Sequence, residues 1–406
     1  MSPLATRAAE KPLVRIAMVG HVDHGKSTLI GRIRHEMSGL PGIASVDASV
    51  GGNWAFVMDQ LQEEREREMT IDTTQTFIET PVCRLVFIDV PGHQELIQNM
   101  LSGATRADAA VLVLAGDEGV QVQTRRHALL LSMLGIRTVI VAVNKMDVLG
   151  RQEDAFRQLE RTAAEELMAL GLTVTATIPV VARDGDNVLQ RSLAMQWYEG
   201  PSVLDAIGEL EPATAPVDAA RFPVQGVLRH DGNSTVVGRV LSGSVAEGDE
   251  LTVCPGGAAV TVRTVRRFPE DHAAAEPGES VGLILYGPEP GRGDVLAPAG
   301  DLPRITRTPA GRVFWLAEKP LEVGEELALR CATQLAKVRV ESITDRLDSA
   351  TLEPLAGGSS LASMELANVR MAAESPVVLE SFDRLAALGR FVLERGGAAA
   401  GFGIVA

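Results

Sequence analysis

Gly20-His21-Val22-Asp23-His24-Gly25-Lys26-Ser27-Thr28 is the stretch on which the rest of the chain turns. It has the form G-x-x-x-x-G-K-[ST], and all four fixed positions are met. The apolar run Leu13-Val14-Arg15-Ile16-Ala17-Met18-Val19 before it has the length of a buried strand, and Leu29, Ile30 and Ile33 after it are spaced as one face of a helix. Strand, glycine loop and helix are the setting in which such a loop cradles phosphate. The glycines let main-chain N–H groups along Asp23, His24, Gly25, Lys26, Ser27 and Thr28 wrap an anion, and the helix N-terminus adds a favourable dipole. Lys26 is placed to reach the β- and γ-phosphates, and Ser27 to set its hydroxyl on Mg²⁺. A chance glycine-rich turn is the competing explanation, and the completeness of the motif weighs against it. The expected ligand is a nucleoside triphosphate.

Working outward, apolar runs of strand length recur at Leu85–Ile88, Ala109–Ala115, Val139–Val143 and Thr177–Val181. Helix-period stretches lie between and after them at Gln94–Gly103, Thr124–Leu134, Asp154–Leu170 and Ser202–Glu209. Near-continuous apolar strands separated by helices predict an α/β domain with a mostly parallel sheet covered on both faces. The nucleotide is then expected at the carboxyl ends of its strands.

Three further motifs narrow the nucleotide to GTP. Asp89-Val90-Pro91-Gly92-His93 follows the Leu85–Ile88 strand directly. Asp89 suits Mg²⁺, directly or through its shell, and the Gly92 N–H suits a γ-phosphate. Asn144-Lys145-Met146-Asp147 again follows a strand. Asp147 can accept from the guanine N1–H and exocyclic amine, a donor pair that adenine lacks, so ATP would leave a carboxylate unpaired. Asn144 would tie this loop to the phosphate loop, and the Lys145 stem would cover the base. Thr70 lies in the poorly periodic segment between the first helix and the second strand, after the charge run Glu63–Glu68. A switch loop there would bring a hydroxyl to Mg²⁺ and sense the γ-phosphate.

Composition sets the outer bounds. With 406 residues the chain has room for two to four domains, and 46% hydrophobic residues with 22% charged is the balance of a globular protein. A net charge of −15 argues against sequence-independent nucleic-acid binding. Three scattered cysteines, Cys83, Cys254 and Cys331, fit a reduced cytoplasmic protein rather than a disulfide or zinc framework. No apolar run approaches the ~18 residues that span a bilayer. Residues 1–12 lack a signal-peptide core and are read as a leader.

The α/β domain is placed at residues 13–210 and a Pro/Ala-rich linker at 211–220. Beyond it the pattern changes to short β runs divided by turn residues: Phe222–Leu228, Thr235–Leu241, Glu250–Cys254, Val260–Arg267 and Ser280–Leu285. Strands at this spacing predict a β-barrel, placed at 221–300. After the break Pro288–Gly293, a second β-rich domain at 301–406 includes Val313–Ala317, Glu326–Cys331, Ala336–Ile343 and Ser363–Val369. The tail Gly396–Gly403 has the composition of a flexible segment, and its apolar ending Phe402–Ala406 favours a closing strand.

With these residues in place the chain resembles the translation-factor GTPases, the group that contains elongation factor Tu. The likeness rests on Gly20–Thr28, Thr70, Asp89–His93 and Asn144–Asp147. It implies a GTP- and Mg²⁺-dependent hydrolase in which His93 orients the attacking water, with Lys26 and Thr70 also catalytic, and hydrolysis proceeding by positioning and charge stabilisation. His21 and His24 flank the phosphates and are read in their side chains as loop or packing residues. Two positions depart from the family pattern. Glu68 stands where a glycine is usual, and Val181-Ala182 stands for a guanine-backing Ser-Ala pair, with the Ala182 N–H expected to meet the guanine oxygen.

Within that group, several stretches are similar to the GTPase subunit of bacterial ATP sulfurylase (sulfate adenylyltransferase subunit 1). They are Glu64-Arg65-Glu66, Gln123–His127, Gln196–Pro201, Arg221–Gln225, Val313–Leu321 and Gly389–Leu393. That resemblance implies a partner, an ATP-pyrophosphatase-type catalytic subunit that forms adenosine 5′-phosphosulfate while this chain couples GTP hydrolysis to the step. The chain has no second phosphate loop and no Ser-Gly-Gly-x-Asp-Ser stretch, which places the adenylylating site on the partner. No nucleic-acid or membrane partner is expected. A carrier of aminoacylated RNA, like the elongation factors, and a similar GTPase serving another adenylyl- or sulfur-activating enzyme are the alternatives.

Overall fold

The computed structural model describes residues 11, 13–37, 74–80, 83–89, 107–210, 219–230, 233–267 and 270–405. Thr70, Gly92, His93, Glu68 and the helix expected over Gln94–Gly103 lie outside them. The chain forms two compact units, residues 1–213 and 214–406.

The first unit is built on a six-stranded sheet of β1 (Leu13–Gly20), β2 (Thr74–Glu79), β3 (Arg84–Asp89), β4 (Ala109–Ala115), β5 (Thr138–Asn144) and β6 (Thr173–Pro179), in the order β2-β3-β1-β4-β5-β6. All neighbours are parallel except β2, which runs antiparallel to β3. The apolar β4, and β1 with Arg15 as its one charged residue, fit this. All seven residues of β4 are buried, as a strand covered on both faces requires. Among the described residues, helices α1 (Lys26–Met37), α2 (Val122–Leu134), α3 (Glu153–Ala169) and α4 (Val203–Gly208) accompany the sheet. In α1 the buried residues Leu29, Ile30, Ile33 and Met37 fall at helical spacing. Helix α2 ends at Gly135, whose left-handed φ of 80° lets its N–H reach the Leu131 and Ser132 carbonyls. Ser202 caps α4 by accepting from the Asp205 N–H.

Strand order reverses around β1: the chain adds β3 on one side, then crosses to place β4 on the other. The crevice at such a switch point is where open α/β sheets bind ligands. Gly20, Asp89, Ala115 and Asn144 all stand at strand carboxyl ends, stepped across the sheet through the pairs Met18–Asp89, Gly20–Val113 and Ala115–Asn144.

The second unit holds two closed six-stranded barrels. The first comprises β7 (Phe222–His230), β8 (Asn233–Arg239), β9 (Glu250–Cys254), β10 (Ala258–Arg267), β11 (Ser280–Tyr286) and β12 (Val295–Pro298), closed by the β9–β10 pairing. The other comprises β13 (Ala310–Trp315), β14 (Glu326–Cys331), β15 (Gln334–Asp348), β16 (Glu365–Ala373), β17 (Arg390–Arg395) and β18 (Ala398–Ile404), closed by β13 against β18. The Ala/Gly-rich tail is therefore a closing strand: Gly401 and Gly403 sit where a Cβ would strike the rings of Trp315 and Phe391. Between the barrels, Arg221 is fully buried and donates to Glu380 at 2.9 Å and to Asp301 at 3.0 Å, and Arg384 also donates to both acids. Among the described residues, no helix is long and apolar enough to cross a membrane.

Candidate functional site

The turn from β1 into α1 closes around its own main chain. Gly20 has φ +148°, and a Cβ there would lie 2.3 Å from the Val113 carbonyl oxygen of the neighbouring strand. Gly25 has φ +90°, and a Cβ there would lie 2.3 Å from Asn144 Nδ2. Both positions need glycine for conformation and for space. The first helical hydrogen bond, Leu29 N–H to the Gly25 carbonyl at 2.9 Å, leaves the preceding N–H groups without helical acceptors.

Lys26 is buried, and its Nζ donates to the Gly20 carbonyl at 3.0 Å and the His21 carbonyl at 2.9 Å. Burial lowers its pKa, opposed by the charges of Asp89 and Asp23. Ser27 Oγ donates to Asp89 Oδ2 at 2.8 Å, so the two residues assigned to Mg²⁺ from the sequence stand together across 62 positions of chain. A hydroxyl and a carboxylate are the hard oxygen donors this ion takes. With Lys26 alongside, the set fits Mg²⁺ on a triphosphate, where the ion would neutralise phosphate charge.

The base-side corner is held by Asn144. Its Nδ2 donates to the His24 carbonyl at 2.8 Å, the tie between loops that the sequence predicts. Its Oδ1 accepts the Ala182 N–H at 2.9 Å. The Ala182 N–H, expected to face the guanine oxygen, is thus engaged by Asn144 in this structure. Lys145 takes a left-handed φ of 58°, which turns the chain towards Asp147. Asp147 is half-buried and accepts from Arg183 Nη2 at 3.3 Å. Arg183 also binds Asp184 at 3.0 Å, and that hydrogen bond holds the Asp184 carboxyl below its ordinary pKa.

Sequence reasoning passed over three residues. Arg183 follows Ala182 directly, and a cation next to the base-reading corner was the available signal. Glu118 approaches His24 from the turn after β4, a contact no spacing announces. His127, inside the stretch Gln123–His127, is buried near Lys26, His21 and His24 of the phosphate loop. Its pKa is pushed down to about 3, first by burial and then by the charge of Lys26 and the imidazoles of His21 and His24.

A family model described as the elongation factor Tu GTP binding domain matches residues 11–213, and one described as GTP-eEF1A C-terminal domain-like matches residues 310–406. Elongation factor 1-alpha of Nanoarchaeum equitans is 34% identical, covering 97% of this chain and 96% of its own. The chain belongs to the elongation factor Tu/1-alpha family of GTPases. Elongation factor 1-alpha of Methanopyrus kandleri is 36% identical over 95% of each chain. A crystal structure of Sup35 complexed with GDP covers this whole chain at 23% identity and a TM-score of 0.45, too loose a likeness to bear on the site. For an elongation-factor GTPase the geometry is coherent: the phosphate loop, the Ser27–Asp89 pair and the Asn144 tie lie at one end of one sheet. These relatives bear the elongation-factor name, held as an alternative in the sequence reading, rather than that of a sulfurylase subunit.

Proposed function

We propose that this chain is a GTP-operated switch of the elongation factor 1-alpha kind, which takes up an aminoacylated RNA in its GTP state and releases it after hydrolysis. The observation that carries the reading is the end-to-end likeness to elongation factor 1-alpha, which runs through both barrels as well as the nucleotide domain. In this reading Lys26, Ser27, Asp89 and Thr70 hold GTP and Mg²⁺, Asn144, Lys145, Asp147 and Ala182 hold the guanine corner, and His93 orients water. Filter binding with charged and uncharged tRNA tests it. Retention of charged tRNA only with GTP supports the carrier role, and equal weak retention with GTP and GDP removes it.

A second reading has its own observations: the net charge of −15, poor for an RNA carrier, and the final-domain stretches Val313–Leu321 and Gly389–Leu393. Here the same switch couples GTP hydrolysis to an ATP-pyrophosphatase-type adenylylating partner. Co-purification of such a partner, with adenosine 5′-phosphosulfate formation that rises with GTP, supports this reading over the first. A partner that adenylylates something other than sulfate keeps the coupling and changes the substrate.

A further inference from the structure

Beside the phosphate loop, one ligand atom from each of His21, His24 and Glu118 lies within 4.8 Å of the other two. The hydrogen bonds of the two imidazoles give this cluster its meaning. His24 Nδ1 faces the Val113 carbonyl at 3.1 Å, and His21 Nδ1 faces the Val22 carbonyl at 2.9 Å. A carbonyl oxygen only accepts, so in both rings Nδ1 carries a proton, and in the neutral imidazole Nε2 keeps its lone pair. In that neutral form His24 Nε2 meets Glu118 Oε2 at 3.3 Å, an acceptor facing an acceptor, with the imidazole buried and the carboxylate partly exposed. Burial holds the His24 imidazole below its ordinary pKa despite the pull of Val113 and Glu118. A cation between the two groups removes the conflict.

We propose that His21, His24 and Glu118 form a site for a divalent transition-metal ion of the zinc class, bound by two imidazole nitrogens and one carboxylate oxygen with a fourth position open. Two histidines and a glutamate suit zinc, whereas magnesium prefers an all-oxygen shell. Tetrahedral zinc with bonds of about 2.0–2.1 Å has ligand-to-ligand edges of about 3.3–3.4 Å, which the His24–Glu118 separation already meets. Backbone carbonyls on both Nδ1 atoms supply the outer support that orients metal-bound imidazoles. The site is separate from the Ser27–Asp89 pair and independent of which partner the switch serves. An ion there would fasten the phosphate loop to the turn after β4, so it would also slow nucleotide exchange.

The test uses the full chain, freed of trace metal and loaded with GDP and Mg²⁺, with Zn²⁺ alone as the probe in competition with a chromophoric chelator. The expected result is one Zn²⁺ per chain, bound about tenfold or more weakly by Glu118→Gln and by His21→Ala. Co²⁺ should give the visible bands of a tetrahedral site in the wild type and not in Glu118→Gln. Metal-free Glu118→Gln, altered at a partly exposed side chain, should unfold at the wild-type temperature, which shows that lost binding is not lost fold. Zn²⁺ affinity that both substitutions leave unchanged, or wild-type affinity no tighter than that of the double variant, overturns the site. The cluster is then a protonated His24 paired with Glu118.

Discussion

The two corners of the nucleotide site are built on different principles. At the phosphate corner the chain uses its own backbone, with two glycines where no Cβ fits and a buried lysine bonded to carbonyls of its own loop. At the base corner it uses side chains: Asn144 as a buried strut, and Asp147 paired with an Arg183 whose side chain is 66% exposed. Every triphosphate offers the same phosphates, so that corner can be rigid and unspecific. Discrimination needs a group that suffers when the wrong base arrives, and a partly exposed carboxylate with an exchangeable partner is such a group.

The sharpest way to break this contrast is at the base corner. Asp147→Asn should weaken GTP binding by on the order of a thousandfold and raise XTP binding, measured by competition against a fluorescent nucleotide. Unchanged GTP affinity would remove the guanine assignment. At the phosphate corner, Gly25→Ala should weaken GTP and XTP alike by on the order of a hundredfold, because left-handed strain and the crowding of Asn144 act before any base is read. A loss confined to one base would show that the corners are not separable.

A third test concerns His127, buried neutral behind the phosphate corner. Its folded-state pKa of about 3 lies below the unfolded value, so the unfolded chain takes up a proton first as pH falls. The stability it contributes is fully present above about pH 6.5 and is lost as pH falls towards 3. Between pH 6 and pH 5, urea unfolding should show the wild type losing about 1 kcal/mol more than His127→Gln. Equal slopes would mean that His127 is reached by solvent. The smallest effect is at Arg183. An ion pair this exposed is worth little, so Arg183→Ala should free Asp147 and tighten GDP binding by about two- to fivefold. A loss of affinity would instead make Arg183 part of the base's seat.

How much was legible in advance follows from the same physics. Strand β4 is buried at all seven positions and reads as an uninterrupted apolar run, so its limits are plain. Strand β6 lies at the sheet edge, and its exposed Thr173 and Thr175 hide its beginning; the predicted Thr177–Val181 starts four residues late and overruns the observed end at Pro179. In β15 burial alternates up to Val340, and the register then shifts twice, so Thr344, Asp345 and Arg346 read as loop although the strand continues to Asp348. The four-residue β12, ending in Pro298, carries too little pattern to be seen. In the site, the phosphate loop and Asn144–Asp147 are contiguous and could be read directly. Ser27 with Asp89 could be inferred from motif order, whereas the approach of Arg183 to Asp147 and of Glu118 to His24 is a product of the fold.

The buried Arg221, wedged between Glu380 and Asp301, has a consequence beyond stability. Taking Glu380 away would leave the buried guanidinium with the partly exposed Asp301 as its carboxylate partner, so charge as well as apolar packing holds the seam between the barrels. Two barrels tied this way would move as one piece.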